Sequence, residues 1–121
     1  MAEQDVCAAA EVRAGALHQV TLGRREIVLT RLPDGGLRAF AARCPHHGAP
    51  LAAGCVGGEV TAGPDGAPCL RRAGEVMRCP WHGFGFDLVI GAPLVDAPAG
   101  LPMQLRFYAV QERDGRVLLT T

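Results

Sequence analysis

The 121-residue chain contains no lysine, no asparagine and no serine, and all twelve of its basic residues are arginine. Each absence closes off a chemistry. Without lysine there is no phosphate-loop lysine, no Schiff-base amine and no lysine general base. Without serine there is no serine nucleophile, and without asparagine no N-glycan acceptor. Aromatic residues are scarce (four Phe, one Trp, one Tyr), too few for a base-stacking platform. An excess of either charge is missing too, since twelve acidic residues balance the arginines and the pI is near 6.9. That balance offers no broad basic face for nucleic acid and no polybasic membrane anchor. No stretch approaches the ~18 apolar residues of a membrane span. The first turn of chain carries Glu3, Asp5 and Glu11, unlike a secretory signal, and the apolar run after Arg24-Arg25 ends at Arg31, short of an export signal. The expectation is a cytoplasmic protein with no nucleic-acid and no membrane partner.

Glycine and proline are abundant, with 16 and 9 residues, and they cluster between short apolar runs. That pattern predicts a single all-β domain over residues 1–121. Strands are expected at His18–Leu22, Glu26–Thr30 and Leu37–Ala41, with Pro33-Asp34-Gly35-Gly36 as the turn before the third. Glu75–Arg78 and Phe86–Ile90 form further strands, and a closing hairpin runs from Leu105–Gln111 through Arg113-Asp114-Gly115 to Val117–Thr120. Residues 1–11 read as a tail, and the Gly-, Ala- and Pro-rich stretch 52–74 as a long surface insertion, of a length that is either functional or mobile.

The five cysteines and four histidines are not scattered evenly, and two of the cysteines and three of the histidines fall in two short segments. Cys44-Pro45-His46 is a Cys-x-His pair and Cys79-Pro80-Trp81-His82 a Cys-x-x-His pair, each bounded by proline and glycine. Proline restricts such a loop, while glycine lets the backbone approach whatever is bound. Two readings fit the four side chains. One zinc ion could take all four tetrahedrally, or a 2Fe–2S cluster could take both thiolates on one iron and both imidazoles on the other. Zinc knuckles usually pair Cys with Cys and His with His, whereas each loop here gives one of each, so the spacing favours the cluster.

Cys44-Pro-His46-His-Gly-Ala-Pro-Leu51 and Cys79-Pro-Trp-His82-Gly-Phe-Gly-Phe-Asp87 resemble the two cluster-binding loops of Rieske iron–sulfur proteins. The resemblance extends over residues 12–120. It implies three stacked antiparallel sheets with an inserted cluster-binding subdomain, one 2Fe–2S cluster, Cys44 and Cys79 on the inner iron, and His46 and His82 on the outer. The chain departs from the family in an extended His46–Cys79 gap of 32 residues. It also lacks the extra loop-linking disulfide of high-potential members, whose positions correspond to Ala49 and Trp81. Those members carry Ser and Tyr hydroxyls where this chain has Phe84 and Phe86. Fewer hydrogen bonds to sulfur disfavour the reduced cluster, which predicts a potential on the order of −150 mV.

The resemblance thus implies an electron-transfer protein without catalytic residues of its own, most like the stand-alone Rieske ferredoxins of bacterial oxygenase systems. Its partners would be a flavin-dependent reductase and a terminal oxygenase or other oxidoreductase. The alternatives are a small subunit of a larger, nitrite-reductase-like enzyme and a structural zinc module. Other residues have blander readings. His47 is a rim residue, His18 a surface or packing histidine, Cys7 a free thiol in the tail, and Asp87 an acid ordering a turn. Trp81 is either a partner anchor or shielding, and Pro93, Pro98 and Pro102 fall where the family has a third loop over the cluster. Cys55 and Cys69 could staple the insertion, although a reducing compartment opposes a disulfide.

Overall fold

Ile27, Val28, Leu29 and Thr30 are four consecutive residues with no exposed surface. Successive strand side chains point to opposite faces, so a strand with this burial has packing on both sides. That strand organises the molecule, a computed structural model that describes residues 3–45, 48–80, 85–94 and 104–121. The strands are β1 (Glu3–Ala8), β2 (His18–Leu22), β3 (Arg25–Arg31), β4 (Leu37–Ala41), β5 (Cys55–Ala62), β6 (Pro68–Arg78), β7 (Gly85–Asp87), β8 (Phe107–Arg113) and β9 (Arg116–Thr120). Short 3₁₀ turns occupy Ala9–Glu11 and Leu51–Ala53. No helix among the described residues is long and apolar enough to cross a membrane.

Six strands form an antiparallel sheet in the order β1-β9-β8-β4-β3-β2, and three form a second sheet, β5-β6-β7. The large sheet is two three-stranded halves joined by a narrow seam, where β4 meets β8 through Ala39↔Tyr108 and Phe40↔Phe107. The three expected sheets are therefore present, two of them continuous. Alternation along β3 and β4 divides the core in two. Ile27, Leu29 and Ala39 pack with Cys7, Val12, Val117 and Leu119. Val28 and Phe40 face the other way, toward Leu51, Met77, Phe86 and Leu88 around the second sheet.

The turn chemistry follows the residues. In Pro33–Gly36 the Asp34 carboxylate accepts from the Gly36 N–H at 2.8 Å, and Leu32 N–H donates to the Gly36 carbonyl at 2.7 Å. Asp114 and Gly115, both at positive φ, close the β8–β9 hairpin as an Asp-Gly pair of this handedness does.

Two expectations are corrected. Residues 3–8, expected as tail, are β1, paired with β9 from Glu3↔Thr120 to Ala8↔Arg116. Its outer side chains are polar, and a bulge between Asp5 and Cys7 breaks the alternation by which a strand is recognised. The 52–74 insertion is not a loop: β5 and β6 form a long hairpin, turning at Gly63–Ala67, where the Asp65 carboxylate accepts from the Ala67 N–H at 3.1 Å. Its distal half is solvated on both faces, with Val60 71% and Leu70 62% exposed, so no apolar stripe marks it in the sequence. The hairpin also bends sharply, because residues 72–75 of β6 stand against the single Gly58 of β5. Arg72, at φ 56°, fastens that bend through Asp87 at 2.8 Å and Glu59 and Glu75 at 3.5 Å each.

Candidate metal centre

Cys44 lies three residues beyond the end of β4 and sits in a tight return of the chain. Its N–H donates to the Ala49 carbonyl at 2.9 Å, and its own carbonyl accepts from Gly48 N–H at 2.7 Å. Gly48 holds φ at 75°, which favours glycine and explains the His-Gly step of the motif. Arg43 and Pro50 form an isolated bridge across the base of the loop, and Leu51 N–H donates to the Ala42 carbonyl at 2.8 Å.

Cys79 follows the last residue of β6. The hairpin register brings its loop to the first one. Cys55, the first residue of β5, opposes Arg78, so the chain leaving loop one runs alongside the chain entering loop two. Gly54 lies at that crossing, and a Cβ there would stand 2.1 Å from the Arg78 carbonyl oxygen. Its φ of −80° is open to any residue, so the demand is for close backbone approach alone.

Cys44 and Cys79 are each 3% exposed and belong to one apolar cluster with Ala49, Leu51, Met77 and Phe86. A pair of sulfurs in one dry cluster suits thiolate ligation of iron, where exclusion of water and hydrogen bonds to sulfur set the potential. His46 and His82 lie outside the described residues, as do His47, Trp81, Phe84, Pro98 and Pro102.

Phe86 is fully buried opposite Met77. Asp87 orders a turn, as expected of it, by accepting from Val89 N–H at 2.8 Å, while also gripping Arg72. Pro93 forms an isolated bridge with Phe86, on the return from β7. The strand expected over Phe86–Ile90 is shorter, because Gly91 N–H bonds back to the Asp87 carbonyl at 2.7 Å and turns the chain. Cys55 and Cys69 do not bridge. Cys69 opposes Thr61, six positions along β5 from Cys55, or on the order of 15–20 Å, where a disulfide needs Cα atoms within about 7 Å.

Sequence spacing did not single out a further cluster of potential ligand side chains, away from the two motif loops. The ligand atoms of Cys7, Glu11 and His18 all fall within 4.8 Å of one another. Nothing in the spacing of residues 7, 11 and 18 signals this, because the curl of the large sheet brings them together.

Comparison with known proteins gives a consistent result. The family described as the Rieske [2Fe-2S] domain matches residues 2–104. Apoptosis-inducing factor 3 of Mus musculus is 31% identical over 112 residues, covering 93% of this chain but only 15% of its own length. The chain thus spans about a seventh of that relative. Among solved structures, the ferredoxin of Sphingomonas yanoikuyae B1 superposes with a TM-score of 0.72 at 21% identity, covering 99% of both chains. A chain from the complex of reduced oxygenase and oxidized ferredoxin in carbazole 1,9a-dioxygenase gives 0.68 at 25% identity, covering 97% of this chain and 91% of that one. A putative nitrite reductase small subunit gives 0.71 at 19% identity, with both chains fully covered. At their identities the first and third of these structures carry the fold alone.

Proposed function

The chain belongs to the Rieske [2Fe-2S] family, whose domain carries a Rieske-type 2Fe–2S cluster, and from that premise we propose that it is a one-electron carrier, a low-potential Rieske-type ferredoxin. Residues 1–121 are read as one such domain. Cys44 and Cys79 would hold the inner iron, and His46 and His82 the outer. When bound, the cluster takes up and gives back single electrons. The chain's own residues position it and set its potential. The observation that carries this reading is the burial of both motif cysteines in one apolar cluster, at loop ends held together by the β5–β6 register.

The proposed donor is a flavin-dependent reductase and the proposed acceptor an oxygenase or other terminal oxidoreductase, with all of them in the cytoplasm. The likeness to a chain from an oxygenase–ferredoxin complex supports the acceptor. The second reading is a small subunit fixed to a larger oxidoreductase, a role with which the fold is compatible, since a nitrite reductase small subunit shares it from end to end.

Two measurements on the native protein test the function and separate the readings. Coulometric titration of the purified chain is expected to take up one electron per chain, with two irons and two sulfides. Zinc in place of iron would overturn the carrier reading. On gel filtration of a native extract, a carrier elutes alone at the size of the free chain. Elution wholly within a large complex assigns the subunit role instead.

A further inference from the structure

The outer strands of the six-stranded sheet, β1 and β2, stand at opposite ends of the strand order, yet Cys7 of β1 and His18 of β2 come within 4.8 Å. The sheet therefore curls until its edges meet. Side chains close this joint. Arg31 donates from Nε to the Val12 carbonyl at 3.0 Å and from Nη2 to the Ala9 carbonyl at 3.2 Å, and it pairs with Glu112 at 3.0 Å. Cys7, Glu11 and His18 lie at the same joint.

We propose that Cys7, Glu11 and His18 form a second metal site, separate from the cluster, which takes a zinc-like divalent ion and clips the two edges of the sheet together. Three features of the chain aim the ligands. In β1, Asp5 opposes Leu118 but Cys7 opposes Val117, so Val6 is an extra residue. Plain alternation would put residues 5 and 7 on one face. The bulge instead leaves Asp5 exposed on Arg116 and turns Cys7 into the core, the re-aiming that bulges perform beside functional sites. The Glu11 carboxylate is held by the Ala8 N–H at 3.0 Å on one oxygen, which leaves the other for a cation. Such an outer hydrogen bond commonly orients a ligating carboxylate. The Cys7 sulfur and the His18 ring make no hydrogen bond to any described residue, so their lone pairs are uncommitted.

The donor set is one sulfur, one imidazole nitrogen and one carboxylate oxygen. That mixture suits zinc, with a solvent molecule in the fourth position beside exposed Glu11. Zinc–ligand bonds of ~2.0–2.3 Å imply ligand separations of roughly 3.5 Å in a tetrahedron, so rotamer adjustments of about an ångström would complete the site. Burial, followed by the nearby Glu11 carboxylate, raises the Cys7 thiol above its ordinary pKa, so without a cation Cys7 is a neutral thiol and a poor nucleophile. Ligation to a dication would deprotonate it.

The test uses the full chain with its cluster loaded. Zinc chloride is added to metal-stripped buffer and Tm is measured with the free zinc present, after which excess is removed by desalting and retained zinc, iron and visible absorbance are measured. One zinc per chain is expected beyond the cluster's iron, with Tm rising by roughly 10 °C when free zinc is a hundredfold above its Kd. His18→Gln, at a half-exposed strand end, and Cys7→Ser should each weaken zinc binding by more than roughly 100-fold and abolish the Tm rise. Iron and absorbance should stay unchanged in both. No retained zinc in the wild-type chain would overturn the site, as would equal zinc in wild type and both variants. Zinc that appears only as iron is lost would place it at the cluster loops and overturn the proposal equally.

Discussion

Phe86 has a fully buried ring opposite Met77 and brings no hydroxyl to the second loop. The proposed low potential rests on that absence, because each hydrogen bond donated to a cluster sulfur stabilises the added electron. Phe86→Tyr should raise the midpoint potential by about 40 mV, the one-electron equivalent of a hydrogen bond worth about 1 kcal/mol. Protein-film voltammetry of the two proteins checks it, and an unchanged potential would mean that the position does not address the cluster. Gly54 matters for the opposite reason, the lack of any side chain. Gly54→Ala must displace the Arg78 backbone, at a cost of about 2–3 kcal/mol, readable in urea unfolding, with lower iron content per chain.

At the scale of elements, legibility in the sequence tracks how each strand is buried. β2 and β4 have the boundaries their apolar residues and flanking turns predict, and β3 extends one residue further at each end. β1 and the distal β5–β6 hairpin escape such reading. Their side chains are largely solvated, and a bulge or a four-against-one bend disrupts the period. The two cysteines proposed as cluster ligands stand out in the sequence because both motifs are local, and the fold buries both in one apolar cluster. The Cys7–Glu11–His18 group does not, since only closure of the sheet assembles it. This division predicts where the hairpin can be cut. Replacing residues 60–70 by a two-residue turn should change stability by less than about 1 kcal/mol and leave the visible spectrum intact, because none of the described side chains among them packs on either core. Removing all of 52–74 should abolish cluster binding, since the Val56 and Gly54 contacts go with it.

At the scale of the whole molecule, two cores share one strand. β3 supplies Val28 to the core around the metal loops and Ile27 and Leu29 to the core inside the curled sheet. Neither core can open without exposing β3, so its amides should exchange only on global unfolding. Native-state hydrogen exchange is expected to show Ile27–Thr30 as the slowest group and the distal hairpin as the fastest strand pair. Protection in β3 no greater than in β5 would contradict a shared core.

Whether the proposed low-potential Rieske cluster is held by Cys44, His46, Cys79 and His82 is decided by an EPR-monitored redox titration of anaerobically purified protein. A Rieske signal is expected to appear on reduction with a midpoint on the order of −150 mV, and to be lost in the Cys79→Ser variant. A Rieske signal at strongly positive potential, or zinc and no signal at all, would contradict that proposal.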